Sequence, residues 1–330
     1  MKRSCRGNDH RDVVNGRGRP PIVVWFASTL LGIVTLAGVI VVGVSTASAD
    51  LRMEASPMPR DASLYNEFEG SAYHLYARDI DWDQPVGVVY YFAGDYFRKS
   101  ESVFHHPRGA TLQTLAAEAA ARNMLLVVPL SPAERGYEGY TWWEDGEDNA
   151  AWFGGLHGHI TAQYDLASEQ IWFMGYSGGA EFIAQEILAD FQESYGLGGA
   201  LMIGGGGPPD AEVSVPRGVR DILGLTWVVG DEDVAGSTNP PDWSALEAAR
   251  LGEQFYRQRG FERTTLQVVE DTDHLDYELD EVLDAHFDHF GVPRVETNAV
   301  VTAVGWSSLG LAITGGIGGL FAWRRKRKGN

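Results

Sequence analysis

Cysteine is almost missing: the 330 residues contain one, Cys5. The chain beyond residue 50 therefore has no disulfide and no thiol nucleophile. Lysine is nearly as scarce, with Lys99 alone between residues 50 and 297. Positive charge as a whole is displaced to the two ends. Of 26 Lys and Arg, six lie before residue 20 and five in Arg324–Lys328, leaving 15 against 43 Asp and Glu over residues 50–297, a net of −28. A surface this acidic excludes nucleic acid as a partner of the middle of the chain, and it suits a salty setting. Internal repeats and low-complexity linkers are lacking there too.

Long apolar runs occur only at the ends. Residues 1–21 are basic; Ile22 to Val44 is apolar or small throughout; Ala47-Ser48-Ala49 follows. A charged start, an apolar middle and an A-x-A end describe a secretory signal peptide over residues 1–49, cleaved after Ala49. The run is also long enough to span a bilayer, so an uncleaved anchor is the alternative. No cysteine follows it for lipid attachment. Val300 to Trp323 carries no charge and runs into Arg324-Arg325-Lys326-Arg327-Lys328. We read 300–323 as a transmembrane helix and 324–330 as a basic cytoplasmic tail, with the chain between the two segments outside. Gly315 and Gly319 form a G-x-x-x-G pair that would let two such helices pack. The Leu-Pro and Thr-Gly of a bacterial surface-sorting pentapeptide are absent, so membrane retention is expected. A linker over 50–64, a catalytic domain over 65–290 and a juxtamembrane linker over 291–299 complete the division.

Within the domain, strand-length apolar runs alternate with helical stretches. Strands are expected at Val86–Phe92, Met124–Pro129, Ile171–Met174, Ala200–Ile203, Leu225–Val229 and Thr265–Val269. Helices are expected at Leu112–Ala121, Asn149–Gln163, after the third of these strands up to Leu188, at Ser244–Arg259 and at Leu279–Phe290. The alternation predicts an α/β architecture, a mostly parallel sheet covered by helices on both faces.

Chemistry concentrates after Ile171–Met174. Gly175-Tyr176-Ser177-Gly178-Gly179 fits G-x-S-x-G, the nucleophile elbow. A serine on a strained strand-to-helix turn needs small neighbours, because a Cβ at either flanking position would clash. The helix start beyond it aims N–H groups at negative charge forming beside the hydroxyl. Serine needs a base, and the base an orienting acid, in the order Ser, acid, His. His274 is the only histidine between Ser177 and Leu279, and it lies just past a strand end, where open α/β sheets place their sites. The acid is Asp231 or Asp233, after strand Leu225–Val229. The third position after the strand-end glycine favours Asp233. The oxyanion hole would pair the N–H of Gly178 with one from the loop Ala93-Gly94-Asp95-Tyr96, either Asp95 or Tyr96. A carboxylate so placed is unfavourable unless it points away or is paired.

Elbow, acid loop and terminal histidine together resemble the α/β-hydrolase superfamily. Asp148-Asn149-Ala150-Ala151-Trp152-Phe153, Tyr164-Asp165 and Gln170 to Gly179 resemble a run in secreted polyhydroxybutyrate depolymerases and feruloyl or acetyl-xylan esterases. The likeness spans roughly residues 85–290. It implies an α/β-hydrolase fold and a serine esterase with Ser177, Asp233 and His274 as triad and Gly178 and Asp95 as oxyanion donors. This chain departs from that group in having Ala93-Gly94 where the group has His-Gly, and in lacking its disulfide cysteines.

Tyr137, Tyr140, Trp142, Trp143, Trp152 and Phe153 crowd the segment that opens onto the mouth of such a site, as binding surface or as helix core. Asp145, Glu147 and Asp148 match no calcium-ligand spacing, and His157-x-His159 and His105-His106 lack a third ligand for zinc. No metal, cofactor or obligate protein partner is implied. The expected protein is an exported, membrane-tethered carboxylic-ester hydrolase acting on a small or polymeric ester. A serine peptidase or amidase on the same residues, and a silent hydrolase-like binding module, are the alternatives.

Overall fold

The computed structural model describes residues 64–132, 140–191, 193–237 and 240–295. The expected signal and membrane segments, the basic tail and Tyr137 lie outside these residues. Among the described residues no helix is long and apolar enough to cross a membrane.

The framework is an eight-stranded sheet in the order β1-β2-β4-β3-β5-β6-β7-β8. Its strands are β1 Tyr65–Phe68, β2 Ser71–Tyr76, β3 Val86–Phe92, β4 Met124–Pro129, β5 Leu166–Tyr176, β6 Gly199–Ile203, β7 Gly224–Gly230 and β8 Thr264–Val269. Strand β2 is antiparallel to both β1 and β4, and all other pairings are parallel. The helices are α1 Ala110–Ala120, α2 Gly146–Gln163, α3 Gly178–Phe182, the one-turn α4 Arg217–Arg220, α5 Ala245–Gln258 and α6 Leu279–Phe290. Helix α3 continues as a π-helical turn over Ile183–Ile187.

The apolar runs of β3, β4, β6 and β7 read as strands because both of their faces are covered, whereas the edge strand β8 is only partly buried. In β3 all seven residues are buried. Val88, Tyr90 and Phe92 face the core shared with α2, α3 and α5 (Phe153, Leu156, Phe182, Ala249, Tyr256). Val89 and Tyr91 face the core shared with α1 and α6 (Leu112, Leu115, Leu283, Phe287). Helix α5 starts where its cap dictates: the Ser244 hydroxyl accepts the Glu247 N–H at 3.2 Å.

Most predicted elements recur with ends shifted by one or two residues. Three differ more. Strand β5 begins at Leu166, where it pairs with Val86, and the sequence does not show this start because the first five residues are exposed or half-buried and carry no apolar run. Helix α2 starts a turn early, at Gly146. The helix after the elbow is a short α segment that widens into a π turn instead of a regular helix to Leu188. Strands β1 and β2 went unmarked among the expected elements. The four-residue β1 alternates exposed and half-buried positions, and β2 reads as mixed polar and aromatic. Packing also extends past Phe290: Val295 N–H reaches Ala121 O at 2.8 Å, and Arg294 pairs with Glu118 and Asp284.

Strand order sets where a site forms. The chain steps from β3 outward to β4, then crosses back to β5 on the other side of β3. Connections diverge at this switch point and leave a crevice at the carboxyl ends of β3 and β5.

Candidate active site

Ser177 stands at that crevice, immediately after β5. Its backbone is at φ 54°, ψ −119°, a strained setting for a residue with a side chain. Two glycines make the turn possible. A Cβ on Gly175 would run into the backbone of Gly179, and a Cβ on Gly179 would collide with the carbonyl of Phe92. The Ser177 N–H donates to Ile203 O at 2.9 Å, which ties the elbow to β6.

Three of the sequence-predicted side chains form one hydrogen-bonded line. His274 Nε2 lies 2.8 Å from Ser177 Oγ, and His274 Nδ1 lies 2.8 Å from Asp233 Oδ2. Asp233 is 0% exposed, whereas Asp231 and Glu232 face solvent. The choice between the two aspartates is thus made by direction: of two residues on one loop, only Asp233 turns inward. Its own carbonyl accepts Leu246 N–H at 2.9 Å, pinning the acid loop to α5.

Groups that the sequence reading missed hold this line in place. Tyr277 Oη donates to Asp233 Oδ2 at 2.7 Å and accepts the Gly230 N–H at 2.8 Å. Burial pushes its phenol well above the ordinary value, so it stays a donor. Among the described residues Asp233 Oδ1 has no hydrogen-bond partner. Tyr176 stacks on the His274 ring (centroids 5.3 Å apart, planes at 27°) and donates to the His274 carbonyl at 2.6 Å. Trp243 meets the same ring edge-on. Under the elbow, the buried Glu181 accepts Gly206 and Gly207 N–H at 2.9 and 2.8 Å, so the glycine-rich turn after β6 folds against α3. Burial is the main cause that raises its carboxyl above the usual range. Each of these hydrogen bonds joins residues 25 or more positions apart, and although Tyr176 lies inside the elbow motif, nothing in that motif marks its contact with His274.

The loop after β3 lies against the elbow. A Cβ on Gly94 would come to 3.1 Å from Ser177 Cβ, and a Cβ on Gly178 would collide with Asp95 Oδ1. The Asp95 carboxylate therefore neither points away nor stands alone: it covers Gly178, and its Oδ2 accepts the Trp143 indole N–H at 2.7 Å. A cavity of about 230 Å³ adjoins this loop, bounded by Tyr176, Tyr277, Leu275 and Glu101.

The aromatic stretch divides. Trp142, Trp152 and Phe153 are core, Trp142 packing on Phe92 and Phe182. Trp143, at 42% exposed, and the half-buried Tyr140 border the mouth. The histidine pairs are occupied otherwise. His157 bonds Tyr90 Oη and Ser194 O, His159 meets Gln163, and His105 meets Tyr96 Oη. Among the described residues no three His, Cys, Asp or Glu side chains gather as metal ligands.

The strand order, the reversed β2 and a Ser-His-Asp line at the switch point give the chain the arrangement of the α/β-hydrolase superfamily, which it resembles. No protein-family model matches the chain, and no curated protein sequence does. Solved structures similar to it include a Bacillus cereus carboxylesterase, 13% identical over 67% of this chain and 94% of that one, with a TM-score of 0.46. A poly(3-hydroxybutyrate) depolymerase from Bordetella parapertussis is 14% identical over 68% of this chain and 85% of its own, with a TM-score of 0.46. A Xanthomonas campestris α/β serine hydrolase without lid is 14% identical over 72% and 95%, with a TM-score of 0.44.

Proposed function

We propose that the chain is a serine hydrolase of carboxylic esters, working through an acyl-enzyme. The observation that carries this reading is the unbroken line from Ser177 Oγ through His274 to the buried Asp233, with each link at 2.8 Å. A serine hydroxyl at neutral pH attacks a carbonyl only if its proton can leave as the bond forms. His274 Nε2 receives that proton. Asp233 keeps Nδ1 protonated and stabilises the imidazolium that results. The tetrahedral oxyanion forms beside the start of α3, where the Gly178 N–H, with that of Asp95, supplies the stabilising donors. Collapse expels the alcohol, protonated by His274. Water activated by the same base then releases the acid. One nucleophile, one base, one acid and two backbone donors complete the chemistry, and no cofactor enters it.

The finer reading is an exported enzyme held on the outer face of a membrane by residues 300–323, whose uncharged run and following cations support that placement. The test is intact mass of the full-length chain after a fluorophosphonate probe, with Ser177→Ala alongside. A single adduct on the native chain only, together with turnover of a short p-nitrophenyl ester, supports the proposal. A folded chain that takes no adduct refutes it. Faster turnover of a matched anilide than of the ester would replace esterase by amidase.

A further inference from the structure

The loop that would supply the second oxyanion donor is anchored at its far end, where the hydroxyl of the buried Tyr96 meets His105 Nε2 at 3.3 Å. It runs Ala93-Gly94-Asp95-Tyr96, and its backbone bridge to the neighbouring loop, Tyr96 with Tyr140, rests on long bonds of 3.5 and 3.2 Å. Yet a donor N–H must sit about 2.7–3.1 Å from the developing oxyanion, and a misplacement of about 1 Å costs on the order of a hundredfold in rate. Something must set the height of this loop above Gly178.

One short contact is in position to do so. The Asp95 carboxylate, pressed over Gly178, accepts the Trp143 indole N–H at 2.7 Å, a charge-assisted bond stronger than the flanking backbone pair. Trp143 also overhangs Gly178 itself, since a Cβ there would come to 3.1 Å from its Cδ1. Trp143 is in turn clamped on both sides. The side-chain amide of Asn149, which is 1% exposed, donates to Trp142 O at 2.8 Å and to Glu144 O at 2.9 Å, the carbonyls either side of residue 143. Asn149 sits in the first turn of α2, a rigid element packed on the sheet through Trp152, Phe153 and Leu156.

We propose that Asn149, Trp143 and Asp95 form a strut from α2 to the oxyanion loop, and that these three are positioning residues that fix the Asp95 N–H for the transition state. The inference rests on the hydrolase reading above and deepens it. It also gives the carboxylate beside the oxyanion site a role: a bond strong enough to hold the loop.

The test compares full-length native chain with Trp143→Phe, Asp95→Ala, Asp95→Asn and Asn149→Ala. Two readings are taken, steady-state turnover of a p-nitrophenyl ester and the rate of fluorophosphonate labelling at Ser177. Trp143→Phe removes one N–H from a half-exposed ring and should lower kcat about tenfold, with KM within about twofold and labelling slowed in step. Asp95→Ala should lose at least as much. Asp95→Asn keeps an acceptor oxygen without the charge and should recover part of that loss. Asn149→Ala and Trp143→Phe act through one strut, so the double variant should lose no more than the worse single one. Native kcat in Trp143→Phe, a loss expressed in KM alone, or Asp95→Asn as impaired as Asp95→Ala would each overturn the strut while native labelling leaves the hydrolase standing. If the folded native chain does not label, the hydrolase reading fails and the strut with it.

Discussion

Replacing Asp233 with Asn tests the proposed chemistry at its most buried point. Asp233 Oδ2 accepts two hydrogen bonds, from His274 Nδ1 at 2.8 Å and Tyr277 Oη at 2.7 Å, and the side chain is closed to solvent. An amide has two ways to fit there. With its oxygen at the Oδ2 position it keeps both bonds but loses the charge that stabilises the imidazolium. Its NH₂ then falls at Oδ1, where the described residues offer no partner, a cost of about 1–3 kcal/mol in stability. With the NH₂ at Oδ2 instead, His274 must accept at Nδ1 and carry its proton on Nε2. It then faces Ser177 as a donor and cannot act as base. Either way the barrier rises by about 4–5.5 kcal/mol, and kcat falls by about 10³ to 10⁴ at pH 7–8. Asp231→Asn, on the same loop but facing water, should stay within about twofold of the native rate. The assay is ester turnover by the full-length variants, with circular dichroism to confirm folding. Asp233→Asn within tenfold of native, or Asp231→Asn as damaged as Asp233→Asn, would refute the reasoning.

Tyr277→Phe removes a donor to that carboxylate and strands the Gly230 N–H, so it should lower stability by about 2–4 kcal/mol, read as the shift of a urea midpoint at unchanged slope. An unshifted midpoint would mean that the phenol is dispensable. Gly179→Ala should abolish fluorophosphonate labelling, because its Cβ meets the backbone carbonyl of Phe92 and the elbow cannot move aside without displacing Ser177; labelling at the native rate would contradict the steric account. Burial pushes the His286 imidazole down to about 3 from its ordinary 6.5. Between those values the unfolded chain binds a proton that the folded one refuses, so stability is whole above about pH 6.5 and declines as pH falls, by up to about 1.4 kcal/mol per pH unit from this group. Denaturation midpoints from pH 7 to 4 should fall less steeply in His286→Gln; parallel slopes would assign the acid sensitivity elsewhere.

Much of this protein was legible in one dimension, wherever the physical demand is local. The elbow is written in Gly175 to Gly179 because its constraint, room for a strained serine, is met by the residues next to it. The strands β3, β4, β6 and β7 and the second half of β5 show as apolar runs because a parallel sheet buries both faces, and α5 announces its start through Ser244. His274 stood out by elimination in a histidine-poor stretch. The tertiary structure decided the rest, where the partners lie far apart in sequence. Asp231 and Asp233 have the same chemistry, and only the packing of their loop against α5 sends one inward. Tyr277 holds Asp233 across 44 residues and Trp143 meets Asp95 across 48. The short β1 and β2 are strands because β4 presents an edge to β2 and β2 another to β1, not through any pattern of their own. Local sequence marked the candidate serine, histidine and pair of aspartates. The crossing of the chain between β3 and β5 brought them to one crevice, because a switch point is a property of strand order and no single segment contains it.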